Sequence, residues 1–217
     1  MCPTWTRARG WADVEHIDAG KLDERVLVLA LQETAENVWR WVEIRKTWAS
    51  VEQSTRRNNW SVHGIGTTGV TLTVRRQDIT LGHALQWRGQ HCFIASLLPF
   101  GRNHLKVEAA LVAVSECEAA AEMSAGRTEL NRPTLTPSTA LSFPGVVAEK
   151  YRRSQEGDLY TTVETALILN VPKAVPELAE GRTVTIDGPA AGSYEVQAVH
   201  NLDPNRVEYE ILRKGDA

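Results

Sequence analysis

The sequence predicts a mainly β protein made of two small antiparallel modules, each a barrel or rolled sheet, joined by an Ala-rich, helix-favouring segment and a Pro/Thr-rich linker. Three observations carry that expectation. First, the last third of the chain echoes its first half. Residues 84–112 (ALQWRGQHCFIASLLPFGRNHLKVEAALV) and 182–213 (RTVTIDGPAAGSYEVQAVHNLDPNRVEYEILR) both read strand, turn, strand, turn, strand. Placing Ile94 over Val196 and Leu105 over Val207 gives an offset of about 102 residues in both cases, the self-similarity expected of a repeated unit. Second, residues 194–199 and 207–211 alternate strictly between apolar and polar side chains, as half-buried antiparallel strands do. Third, Gly- and Pro-containing turn sequences separate these runs.

The elements follow in chain order. Residues 1–20 show no helix or strand period and form an arm carrying Trp5, Arg7, Arg9 and Trp11. An aromatic arm of this kind either docks on a neighbouring copy or packs on its own domain. Residues 25–32 (RVLVLALQ) are a short Val/Leu run fit for a buried strand. Residues 38–53 (VWRWVEIRKTWASVEQ) hold no clean 3.6-residue period and are rich in β-branched and aromatic residues, so strand is favoured over helix. Residues 56–69 (RRNNWSVHGIGTTG) are a polar, Gly-rich loop. Residues 70–76 (VTLTVRR) alternate, with Val70, Leu72 and Val74 on one face. A turn or loop over 78–83 precedes strands at 85–87, 91–98 and 105–114. Residues 115–125 (SECEAAAEMSA) have the composition of a helix, and 126–142 that of a linker. These readings divide the chain into an arm (1–20), a first module (21–114), a linker (115–142) and a second module (143–217). In the second module, strands are expected at 146–151 and 161–170, Pro172 and Pro176 exclude a long helix before Gly181, and the three repeat strands follow.

Composition narrows the function classes. The 217 residues carry a net charge of −3, which argues against a general nucleic-acid binder, whose affinity rests on neutralising phosphates. It leaves room for a mildly acidic channel through which DNA slides. No apolar run reaches the ~18 residues of a membrane span, and the first residues lack the apolar core of a secretory signal. Three cysteines without CxxC spacing, Cys2, Cys92 and Cys117, indicate neither a disulfide framework nor a zinc site. Cys92 lies in a strand-like run and reads as a small buried hydrophobe, and the chain is expected to be made in a reducing cytoplasm.

No catalytic pattern emerges. The six histidines (His16, His63, His83, His91, His104, His200) show no HxH or HxxxH spacing, and His91 and Cys92, as strand neighbours, point to opposite faces. Ser61, Ser96 and Ser193 sit in no nucleophile elbow. The glycines at 64, 66 and 69 resemble a phosphate loop only superficially, because no Lys-Ser/Thr ending follows and the next element is a strand. The expectation is a non-enzyme without cofactor or metal. Of the seven tryptophans, Trp39, Trp41, Trp48 and Trp87 are assigned to the first core. Trp5, Trp11 and Trp60 lie in tail or loop contexts that suit a partner surface.

The order of elements carries a resemblance. Residues 22–26 (LDERV) open a strand, 47–52 (TWASVE) lie in the second, and a long loop follows. Then come 70–75 (VTLTVR), 87–94 (WRGQHCFI) and 103–108 (NHLKVE). This arrangement resembles the head–tail adaptor and head-closure (stopper) proteins of tailed bacteriophages. The second module, with 181–188 (GRTVTIDG) and 194–199 (YEVQAV), is similar to the neck and tail-attachment β proteins of the same viruses. The resemblance covers about 90 residues of the first module and about 70 of the second, and two modules in one chain depart from the usual single one. It implies a homo-oligomeric ring, commonly of six copies, in the neck of the virion. The ring would sit between a portal or adaptor ring and a tail terminator or tail protein, with packaged double-stranded DNA in its channel and no membrane. It further implies a channel-facing loop, here Arg56, Arg57, Asn58, Asn59, Trp60, His63, Gly64 and Gly66, and an inter-subunit arm at Trp5, Arg7, Arg9 and Trp11. Alternatives are a tail-completion or tail-tip component, or a carbohydrate- or cell-wall-binding module. A shared exposed platform of Trp60 and Trp87 would favour sugar; burial of Trp87 would favour the neck.

Overall fold

Strand propensity and period-2 alternation dominate the chain, and the fold obeys them: the protein is mainly β. The computed structural model describes residues 19–58, 67–120, 123–127, 133–137, 140–156, 160–201 and 203–215. A single 3-10 turn, Ala19–Lys21, leads into β1 (Glu24–Ala35), β2 (Val38–Asn58), β3 (Thr67–Arg75), β4 (His83–Trp87), β5 (Gln90–Phe100) and β6 (His104–Val112). There follow β7 (Ser115–Ala119), β8 (Met123–Arg127), β9 (Pro133–Pro137), β10 (Leu141–Glu156), β11 (Tyr160–Pro172), β12 (Thr183–Ile186), β13 (Gly192–His200) and β14 (Arg206–Arg213).

Twelve of these strands form one hydrogen-bonded sheet in the order β1-β4-β5-β6-β3-β2-β10-β11-β14-β13-β12-β7, with further pairings β1–β2 and β10–β7. β8 and β9 pair only with each other. The strand order of the first six matches that of the last six once β7, β10, β11, β12, β13 and β14 are set beside β1 to β6. The two sets meet at a single parallel bridge, Val38 to Ser142.

The repeat seen in the sequence reappears in the register. β5 and β6 pair Ile94 with Ala109 and then Ser96 with Glu108, skipping one residue. β13 and β14 pair Val196 with Ile211 and then Ala198 with Glu210. The same bulge stands 102 residues further on. A bulge bends and twists its strand, so its recurrence bends both hairpins at the same point.

Inward side chains make two main cores. One gathers Val26, Val28, Leu72, Val74, Leu85, Cys92, Ile94 and Val107 among others; the second gathers Cys117, Phe143, Leu169, Leu178, Ile186 and Tyr209 among others. A third, small cluster joins Leu29, Ala84 and Phe93 to Val146 and fastens the first six strands to the rest. Arg206 lies over the Phe93 ring at 5.7 Å, and an Arg40–Glu116 ion pair spans the same boundary.

Three expectations need correction. Residues 115–125 are not helical: Ser115, Cys117 and Ala119 are buried while Glu116 and Glu118 are exposed. That alternation, satisfied by ladders to β10 and β12, overrides the composition of an alanine-rich helix. The expected linker of 126–142 holds the β8–β9 hairpin and the start of β10. Finally, Trp39, Trp41 and Trp48 do not fill the first core. Trp39 packs against the second core, Trp41 against the small joining cluster, and Trp48 is 57% exposed.

Candidate functional site

β2 is 21 residues long because it serves two neighbours in succession. It pairs with β1 as far as Ala49 and with β3 from Ala49 to Asn58. The base of the β2–β3 hairpin is anchored by Val70, Leu72 and Val74, all buried, and by the β3–β6 ladder from Thr68 to Arg75. Towards its tip the register shifts between Gln53 and Arg57, which gives β2 extra residues and sharpens the local twist. The hairpin therefore leaves a rigid base and carries Arg56, Arg57 and Asn58 at the end of β2.

Asn59, Trp60, His63, Gly64 and Gly66 of the expected loop lie outside the described residues, as do Trp5, Arg7, Arg9 and Trp11 of the expected arm. The structure thus brings Arg56, Arg57 and Asn58 together on one strand end and bears on none of the others. Trp87 is buried, 7% exposed. Its indole Nε1 donates to Glu24 Oε2 at 3.1 Å, and Arg88, stacked on the Trp87 ring at 4.8 Å, pairs with the same carboxylate. The bond from Arg88 first, and that from Trp87 second, hold the Glu24 carboxyl below its ordinary range.

A second projecting hairpin is absent from the sequence reading. β10 and β11 pair without interruption from Val146/Asn170 to Glu156/Tyr160, but β11 meets β14 only over Leu167–Pro172. Among the described residues, 160–166 therefore pair with β10 alone, and the ribbon runs on about 20 Å beyond the sheet at ~3.3 Å per residue. Two long, polar, alternating runs around Gly157 were the available signal.

Between the bases of the two hairpins lies an open cleft of about 1010 Å³, lined by Gln53, Thr67 and Thr68 on one side and by Val146–Glu149 and Leu167 on the other, with His91 at its edge. Its lining is mostly neutral. Burial alone pushes the His91 imidazole down to about 4, so it is uncharged near neutrality and a poor general acid there. His91 packs on Trp41 at 5.2 Å and on Phe93 at 5.5 Å between ring centres, and its Nε2 is buried without a hydrogen-bond partner. Cys92 and Cys117 are buried free thiols, pushed up by burial to about 11 and about 12, which makes them poor nucleophiles. Among the described residues no three His, Cys, Asp or Glu side chains come together in a metal-binding group, and no helix is long and apolar enough to cross a membrane.

No family model, curated protein or solved structure matches the chain.

Proposed function

We propose that the protein is a structural component of a tailed-phage neck, a head-closure or head–tail connector that assembles as a ring around the DNA channel. In this reading the two sets of six strands are two small closed barrels, since β1–β2 and β10–β7 each return the pairing to its starting strand. The second module then begins at Ser115, because β7 pairs with β10 and β12. The observation that carries the proposal is the long β2–β3 hairpin rising from a small β module at the place where the resembling proteins hold DNA. Burial of Trp87 supports it against the sugar-binding alternative, which needs that ring in an exposed platform. Small modules bury limited apolar area alone. A ring built from head-to-tail contacts adds to that burial and closes by rotation.

The test is the mass of the purified chain by light scattering, alone and mixed with DNA-filled heads. A soluble chain that joins heads as a ring of fixed stoichiometry is expected. A chain that ignores heads and binds cell-wall glycans would overturn the reading. Deleting residues 58–68 is expected to leave ring formation intact and to let packaged DNA escape; full DNA retention would remove the channel role from this hairpin.

A further inference from the structure

The two projecting hairpins hold equivalent places. Ala49 of β2 faces Glu24 of β1 and Val74 of β3. Gly145 of β10 faces Ser115 of β7 and directly precedes the Val146–Asn170 pair of the β10–β11 ladder. Strand by strand, the same neighbours surround both residues. Counting outward from Ala49, the seventh and eighth residues are Arg56 and Arg57; counting from Gly145, they are Arg152 and Arg153. The chain therefore places an Arg-Arg pair at the same distance along each hairpin, although β2 carries a register shift there and β10 does not.

The ladder also sorts the second ribbon's residues by face. Arg152 stands opposite Glu164, while Arg153 stands opposite Val163, Tyr151 opposite Thr165 and Gln155 opposite Thr161. Side chains alternate across a strand, so Tyr151, Arg153, Gln155, Thr161, Val163 and Thr165 share one face. That face holds a cation, hydroxyls and an amide and no carboxylate; the acidic Glu156 and Glu164 belong to the other. A guanidinium flanked by hydroxyl donors suits the sugar–phosphate backbone, which is recognised through charge and hydrogen bonds without reading sequence.

We propose that the β10–β11 ribbon is a second arm for double-stranded DNA, contacting the phosphate backbone through the face that carries Arg153, as a duplicate of the β2–β3 arm. The inference rests on the neck reading above and extends it: each copy grips the DNA at two points. Two weak, linked contacts hold a polymer far better than one, which offsets the modest basic charge of either arm.

The experiment compares the full-length chain with R56A/R57A, R152A/R153A and R152K/R153K. Binding of a 30-base-pair duplex is followed by fluorescence anisotropy from low to physiological salt. Each phosphate contact adds about 0.9 to the slope of log K against log salt, so each alanine pair is expected to lower that slope by about one to two. The lysine pair, which keeps the charge, is expected to retain it, with unchanged thermal unfolding as the check on folding. A wild-type chain with no affinity for the duplex at low salt overturns the inference. So does an R152A/R153A chain that matches wild type while R56A/R57A does not. An R152A/R153A chain that binds the duplex normally yet no longer joins heads also overturns it, making the ribbon a protein contact. A wild-type chain that binds the duplex with a ribbon-dependent slope but never joins heads sinks the neck reading and leaves the DNA contact standing.

Discussion

His91 is a residue whose environment can be read out by pH. Its ring lies between Trp41 and Phe93, and burial lowers its pKa from 6.5 to about 4. The unfolded chain therefore takes up a proton below about pH 6.5 that the folded chain refuses until about pH 4. Stability falls as pH drops through that window and levels off below it, by on the order of 3 kcal/mol for a shift of this size. Replacing His91 with Phe removes both the titration and the orphaned Nε2. His91→Phe is expected to match or exceed wild type at pH 7 and to widen its advantage steadily down to pH 4. Urea unfolding at several pH values checks this, and a constant difference between the two proteins would contradict it. At this scale the sequence was legible wherever alternation is regular. Cys92 and Trp87 are buried as read. The β2 tryptophans were misread because β1 and β2 slip register between Val28/Arg45 and Leu29/Glu43. A one-residue slip exchanges the faces of every residue beyond it. Trp48, opposite Arg25, and Trp41, opposite Leu31, thereby both fall on the outer face, one to solvent and the other to the second half.

Single strands show how far the repeat can be trusted. β4, β5 and β6 and their counterparts β12, β13 and β14 were visible because hairpins with short turns keep alternation and turn residues in one sequence window. β7 was hidden, since five residues of SECEA have a helix-favouring composition and acquire strand character only from β10 and β12. The second long hairpin was hidden because its length comes from the end of the β11–β14 ladder at Leu167, a tertiary fact. The repeat also misleads if used as a guide to substitution. Ala49 and Gly145 are equivalent, so Gly145→Ala copies what the first half already holds. A Cβ on Gly145, however, would lie 2.7 Å from Leu169 Cδ1 and 3.0 Å from Cys117 Sγ, in a core where Leu169 is fully buried. Overpacking of this kind costs about 1–3 kcal/mol. Gly145→Ala is expected to lower the urea midpoint accordingly with an unchanged slope; a variant as stable as wild type would mean that Leu169 and Cys117 move aside freely.

The whole molecule poses the question of whether its two cores behave as one. They are separate clusters, joined by Leu29, Ala84, Phe93 and Val146, by the Arg40–Glu116 pair and by one bridge between β2 and β10. Each core contains one buried thiol, Cys92 in the first and Cys117 in the second, so each carries its own reporter of opening. Burial and raised pKa values make both unreactive in the folded chain at pH 8. In two single-cysteine variants, each keeping one of these thiols with the other cysteines replaced by Ser, labelling in urea then reports the unfolding of each core separately. A closely packed Phe is worth about 3–5 kcal/mol when truncated to Ala, and Phe93 is the largest side chain in the joining cluster. The two thiols are expected to become reactive over the same urea range in the otherwise native background, and over different ranges once Phe93→Ala is added. Coincident transitions with Phe93 and separated ones without it would make the junction the source of cooperativity. A ring subunit needs that property, because two arms can grip one DNA only if the bodies that carry them do not move apart under load. Separate transitions already present with Phe93 in place would mean that the two halves are independent, and that any rigidity in the assembled ring comes from its neighbours.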